Sequence, residues 1–309
     1  MIITGEPQGC EPEGITFASQ QQIDNFPGLD NECDGLIAGN IQISGEDVVN
    51  LDSLYGITSI GGSLKIVDCP TLNDISGIYN LDSVGGSLYI NNNDSISSID
   101  GFDDLISVGR QISIENNDQL GSISGFDNLD KAYRSLTIQN NESLTEINGF
   151  AFLDLVSLNY RICNNPSLIS VSGFNGLKYI GKAFSLSYNK SLTSITGFGE
   201  LTTVGRDFRI QGDSLLSSIS GFEQLTYIGD DLVIKDNYAM THLPDLENLI
   251  SVGEDLMILN NDSLINLTGL EKLTTINGNM SIVCNYALTS LSGLESLTSI
   301  DGSLWITDN

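Results

Sequence analysis

Residues 88–111 read LYINNNDSISSIDGFDDLISVGRQ, and this pattern returns at a fixed step along nearly the whole chain. Its opening triplet, Leu88-Tyr89-Ile90, recurs as Leu64-Lys65-Ile66, Ile112-Ser113-Ile114, Leu136-Thr137-Ile138 and Tyr160-Arg161-Ile162. It continues as far as Leu304-Trp305-Ile306, always 24 residues apart and with no insertion. Eleven copies are regular, and Ile41-Gln42-Ile43 is a degenerate twelfth, offset by one. A period this strict describes a solenoid in which each repeat contacts mainly its neighbours.

The slots inside each repeat are equally fixed. In residues 88–111 they are Ile90, Asn93, Ile96, Ile99, Gly101, Phe102, Leu105, Val108 and Gly109. Alternation in Leu-x-Ile is the period of a strand with one buried face. The three-residue spacing elsewhere fits a coil that turns corners and points one side chain inward each time. Gly, Ser, Asn and Asp crowd every turn, so helix propensity is poor. The expected fold is mainly β, a parallel β-solenoid of 24-residue coils with little helix.

Three residues past each strand isoleucine stands asparagine: Asn93, Asn117, Asn141, Asn165, Asn189, Asn237, Asn261, Asn285 and Asn309, with Cys69 and Asp213 as exceptions. An inward amide donates and accepts at once, so stacked copies are expected to form a structural ladder satisfying the backbone at the bend. That reading removes the sequons at Asn93, Asn141, Asn189 and Asn261 as modification sites, leaving Asn266 and Asn279.

The pattern Leu-x-Ile-x-x-Asn-x-x-Leu-x-x-Ile-x-Gly-Phe-x-x-Leu-x-x-Val-Gly-Gly resembles the receptor L-domain family of leucine-rich-repeat type. It is closest to bacterial cell-surface proteins carrying long, regular arrays of such repeats. The resemblance runs from about Asn40 to Asn309. It implies a right-handed coil and an extracellular or cell-surface location, but no single ligand and no transferable site residue. The chain departs from the receptor domains in being longer, more regular and poor in cysteine.

Two domains are expected: an N-terminal cap over 1–38 and the solenoid over 39–309. In the cap, Ser19-Gln-Gln-Gln22 reads as a capping box opening a short helix, with Ile23 and Phe26 on one face and Pro27-Gly28 stopping it. Cys10 and Cys33 flank that helix and form the expected disulfide, which suggests an oxidising compartment. Cys163 and Cys284 lie five coils apart, roughly 24 Å at about 4.8 Å per coil, too far to bond. Cys69 is expected buried and inert. The start lacks a charged region followed by a long apolar one, so no signal peptide is read there; it looks like a mature chain with an added Met. No C-terminal cap follows the last repeat, which points to a longer array or to an end-to-end or edge contact at that coil.

Forty acidic residues against twelve basic ones give a net charge of −28. That balance argues against nucleic-acid partners, which need a basic face, and against anionic membranes. No stretch approaches the ~20 apolar residues of a membrane span, so no membrane insertion is expected. Neither a Gly-x-Ser-x-Gly elbow, a phosphate loop nor a Cys-x-x-Cys pair is present, and His242 has no metal-ligand partner at suitable spacing. An enzyme is not expected, nor a metal or cofactor. The oxygen-rich Asn92-Asn93-Asp94, Asn116-Asn117-Asp118 and Asn260-Asn261-Asp262 could hold only Ca²⁺, and the ladder claims one amide of each.

Between Lys131 and Arg209 the balance inverts: eight basic residues stand against five acids, and Leu155 to Gly199 contains no acid at all. Arg161 and Arg209 share the outward mid-strand slot; Arg110, Arg134, Lys182 and Arg206 share the slot after the Val-Gly corner. Charge relief between stacked acidic coils is the plain structural explanation. The outward column is nonetheless varied, as a binding surface would be: Lys65, Tyr89, Ser113, Thr137, Arg161, Ser185, Arg209, Val233, Met257, Ser281 and Trp305. Val233, Met257, Leu259, Val283 and Trp305 read as an apolar stripe. The ligand-binding candidates are therefore Arg134, Arg161, Lys182, Arg206, Arg209, Tyr89 and Trp305. The expected function is an extracellular or cell-surface binding or adhesion module for a protein or glycan. A structural stalk is the alternative. Hydroxyl pairs such as Ser122/Ser124, Ser194/Thr196 and Ser218/Ser220 also resemble the ranks of ice-binding proteins, although Asp74, Asp100, Glu146 and the His242-to-Pro244 stretch interrupt them.

Overall fold

The computed structural model describes residues 13–26 and 35–309. The Cys10–Cys33 bond and the Pro27-Gly28 stop lie outside them. The chain winds into stacked coils whose strands form three parallel sheets. A 13-stranded main sheet runs from Ile15–Phe17 to Leu304–Thr307, and a 12-stranded corner sheet from Leu36–Ile37 to Ser299–Ile300. The main-sheet register follows the repeat without a slip: Leu88, Ile112 and Leu136 are partners on the inside, Tyr89, Ser113 and Thr137 on the other face. A one-residue slip would turn every apolar side chain outward, so burial itself locks the register.

The third sheet has six strands, from Ser98–Ile99 to Ser218–Ile219. Its end has a covalent cause. In each preceding coil the backbone N–H two residues past the hydroxyl position donates to the coil before, as Ser220 N does to the Ile195 carbonyl at 3.0 Å. The next residue in that column is Pro244, which has no N–H to give. The hydroxyl face is therefore short, with Glu146 inside it, unlike the unbroken rank an ice-binding surface calls for.

Ile15–Phe17 pairs with Ile41–Ile43, so the main sheet starts inside the N-terminal segment. The helix Gln20–Asp24 follows it. Ser19 Oγ accepts from Gln22 N at 3.4 Å, and Gln22 Oε1 accepts from Ala18 N at 2.6 Å, one residue before the position a capping box uses. Buried Ile23 and the edge-on pair Phe17–Phe26 anchor the helix on the first coil.

Inside the coils the aromatic column Phe102, Phe126, Phe150, Phe174, Phe198 and Phe222 is stacked ring on ring, with centroids 4.9 to 5.5 Å apart. That spacing is close to the ~4.8 Å rise between strands, so register alone delivers the offset stack. From the opposite wall Tyr160, Phe184 and Phe208 form a second stack that meets the first edge-on. Tyr160 is fully buried and its hydroxyl has no hydrogen-bond partner among the described residues.

The asparagine column is a continuous hydrogen-bonded ladder. Asn141 Nδ2 donates to the Ile114 carbonyl at 3.0 Å, and Asn141 N donates to Asn165 Oδ1 at 3.0 Å. Asn165 repeats both moves one coil on, to Ile138 and to Asn189, and the column continues to Asn309. The asparagines from Asn93 to Asn285 in this column are fully buried. The residue before each is left-handed, with φ between 55° and 60° at Asp68, Asn92, Asn116, Asn140, Asn164, Asp236 and Asn260, a conformation Asn and Asp tolerate best.

Replacing Asn165 by Ala strands the Asn141 N–H and the Ile138 carbonyl in the core. A loss of about 1–3 kcal/mol is expected, against less than about 0.5 kcal/mol for the half-buried Ser185→Ala. Equal chemical-denaturation midpoints for the two variants would refute the ladder's role. Tyr160→Phe keeps the stack and deletes the unpartnered hydroxyl, so the same measurement should show a gain of about 1 kcal/mol.

Candidate functional site

With the inner face committed to packing, chemistry is left to side chains that point away from it. The outward column of the main sheet runs in strict register: Thr137, Arg161, Ser185, Arg209, Val233, Met257, Ser281, Trp305. The structure divides it in ways the residue order does not.

Arg161 is exposed, and neither it nor Arg134 or Lys182 has an ion-pair partner among the described residues. Arg209 differs. Its guanidinium lies 3.1 Å from Asp207 and 3.4 Å from Asp231, so two carboxylates clamp it and its charge is spent within the protein. Burial holds the Asp231 carboxyl above its usual range; the Asp255 N–H it accepts from and Arg209 pull the other way. Arg206 sits 3.9 Å from Asp230. The expected pairing of Arg161 with Arg209 is thus replaced by a free strip on three successive coils, Arg134 and Lys182 in the corner slot and Arg161 mid-strand, with Arg209 clamped beside it. The clamp was out of sight in the sequence because Asp231 is 22 residues from Arg209 and meets it only through the stacking of coils.

At the N-terminal end of the same face lies a cleft of about 360 Å³, lined by Glu13, Thr16, Gln42, Lys65, Tyr89 and Arg110, among others. Lys65 Nζ lies 5.8 Å from the centre of the Tyr89 ring, and the Tyr89 hydroxyl accepts from Gln111 Nε2 at 3.1 Å. The ring is held upright between a cation and an amide. Lys65 and Arg110 have no ion-pair partner among the described residues, which makes the cleft a second place where positive charge meets this face.

Toward the other end the apolar stripe is narrower than expected. Val233 is only 6 % exposed, because Arg209 and Met257 flank it in the sheet. Met257, Leu259 and Val283 are half-buried, and Trp305 is 49 % exposed on the last strand. Ser113 is also buried, donating to Glu115 Oε1 at 2.6 Å.

Other candidates settle into the frame. Asn92 and Asn116 share an outer amide column, Asn116 Nδ2 donating to Asn92 Oδ1 at 3.0 Å, so both amides of the Asn-Asn doublets serve the coil. No cluster of three or more His, Cys, Asp or Glu suited to a metal ion occurs among the described residues. Asn279 is tied by Ser303 N and Asp255, and Asn266 Oδ1 accepts from the Thr268 N–H and hydroxyl. His242 pairs with Thr241 Oγ1 at 2.9 Å beside Asp245, Glu247 and Glu271. Cys69 is buried, and burial pushes its thiol up to about 11. Burial likewise raises the Cys163 thiol, against the pull of Arg161.

Sequence reading also missed a polar column three residues before each strand isoleucine. Ser63 Oγ accepts from Ser87 N at 3.0 Å, Asp255 Oδ1 from Asn279 N at 2.7 Å and Asn279 Oδ1 from Ser303 N at 2.9 Å. The signal was present as recurring Ser, Asn or Asp at that phase, blurred by Gln111 and Ala183.

No family model matches the sequence, and no curated protein does. Among solved structures, a leucine-rich repeat protein from Bacteroides ovatus is similar, at 14 % identity and a TM-score of 0.29, over 83 % of this chain and 79 % of that one.

Proposed function

We propose that the protein is an extracellular or cell-surface binding module whose main-sheet face takes an extended anionic ligand, a protein or a glycan. The observation that carries this reading is the free strip of Arg134, Arg161 and Lys182. Charge relief alone would leave cations paired, as Arg209 is with Asp207 and Asp231. Arg134 and Lys182 share one slot two coils apart, about 9.6 Å at ~4.8 Å per coil, and Arg161 stands mid-strand on the coil between them, so the strip offers charges from successive coils to an extended ligand. Arginine suits that task, because its planar fork grips carboxylate or sulfate with two hydrogen bonds.

The surrounding field is negative and opposes long-range capture of an anion. Affinity must come from close contact and from several coils or copies engaging together. A stalk that merely spaces other domains is the second reading, favoured by the ladder's backbone N–H bonds, which pass from coil to coil between Cys69 and Asn309.

The test is an array of acidic and neutral glycans and acidic peptides, probed with wild type and with Arg161→Ser/Lys182→Ser. Acidic ligands should bind the wild type in a salt-sensitive way, and the double variant should lose about tenfold or more. Equal binding of every probe by both proteins would overturn the binding role of the strip and leave the stalk.

A further inference from the structure

Among the buried residues of the amide ladder, one is a carboxylic acid. Asp213 stands where the neighbouring coils have Asn189 and Asn237, and it is fully buried. Half of its task it performs as an amide would: Oδ1 accepts from Asn189 N at 2.7 Å. The other half requires a donor. Asn189 Nδ2 donates to the Ile162 carbonyl at 3.2 Å and Asn237 Nδ2 to the Ile210 carbonyl at 2.9 Å, each 27 residues back. The matching carbonyl for Asp213 is that of Leu186. The atom in the donor's place is Oδ2, buried and with no hydrogen-bond partner.

An ionised Oδ2 would set a negative charge against a carbonyl dipole with no water between them. A protonated Oδ2 restores the donor, and the acid becomes a near-copy of asparagine. We propose that Asp213 is a proton-dependent latch: as the neutral acid it completes the ladder by donating to the Leu186 carbonyl, and on ionisation it loosens the coil that carries Arg206 and Arg209. The strand Phe208–Gln211 leads directly into Gly212 and Asp213, so slack at the latch reaches that strand first.

The surroundings fit a neutral group. Facing Asp213 are the amides of Asn189 and Asn237 in the adjoining coils and the thiol of Cys163 two coils away; among the described residues no charged side chain helps set its protonation. Burial raises the carboxyl to about 7, against the lowering effect of the Asn189 hydrogen bonds. In the unfolded chain the same carboxyl has its ordinary value of 3.8. The folded state therefore binds the extra proton between those values. The latch's contribution is whole below the lower value, falls as pH rises through the interval, and is gone above the upper one.

The experiment compares thermal unfolding of wild type, Asp213→Asn and Asp213→Ala from pH about 3 to about 8, because the difference between variants cancels the repulsion of the other acids. Wild type and Asp213→Asn should melt together at the acidic end, with Asp213→Asn pulling ahead as pH rises and the gap constant above neutrality. Asp213→Ala, lacking donor and acceptor, should lie below Asp213→Asn by a margin independent of pH. Carbon-13 NMR of the wild type, with the Asp213 resonance assigned by its loss in either variant, should show a protonated carboxyl at pH about 5.5, well above the ordinary aspartate range. A gap that is the same at both ends of the pH range, or an ionised Asp213 signal at that pH, would overturn the latch.

Discussion

A chain that turns a corner inside a solenoid leaves backbone N–H and C=O groups pointing at a dry interior, where an unpaired polar group costs more than most side-chain contacts contribute. Everything else in this protein depends on how that problem is solved at the bend after each main-sheet strand. Asparagine solves it there because one short side chain donates to the coil behind and accepts for the backbone of that same coil. The solution works only if successive bends superimpose, which forbids insertions and holds the repeat at one length. The left-handed residue preceding the ladder follows from the same constraint, since the strand must reverse sharply to aim the amide inward.

A frame this demanding inside is permissive outside. The outward slot of each strand meets other surface positions, as Ser113 meets Glu115 and Tyr89 meets Gln111, so its residues vary without disturbing the core. Acidic residues accumulate instead just before the strands, as at Asp207, Asp231 and Asp255 on successive coils, and like charges in register repel. Clamped Arg209 shows how the fold handles that strain, by setting a cation between carboxylates of neighbouring coils. Arg134, Arg161 and Lys182 do not follow this rule, and Arg161 and Lys182 adjoin Tyr160 and Phe184, where the two aromatic stacks interlock. Charged side chains beside this closely packed stretch are well placed to present a fixed geometry.

The fold was legible from sequence because its determinants are periodic. Strand register, the buried amide and the aromatic column each occupy one phase, and repetition makes each phase unmistakable. What stayed hidden depends on neighbours 22 to 24 residues away acting as pairs. Val233 reads as an exposed apolar residue until Arg209 and Met257 are placed on either side of it. Arg209 reads as a free cation until Asp231 swings into reach. The outer amide column was missed although the Asn-Asn doublets announce it, because its members alternate among Asn, Asp, Gly, Tyr and Cys, residues united by backbone conformation rather than by chemistry.

The two buried substitutions in the ladder show how narrow the chemical requirement is. Cys69 keeps both functions of a rung: its thiol lies 3.7 Å from the Ile43 carbonyl as a donor and accepts from the Gly45 backbone, while its own N–H uses Asn93 Oδ1 at 3.1 Å. A thiol raised to about 11 stays protonated at any ordinary pH, so this rung is a weak but permanent donor. Asp213 has the better shape, nearly that of asparagine, yet its donor exists only while it holds a proton. Geometry therefore ranks Asp213 as the closer mimic and acid strength ranks Cys69 as the dependable one. Cys69 is near the start of the ladder. Asp213 lies in its middle, where amides on both sides rely on it and where any slack is passed to the strand that bears Arg209.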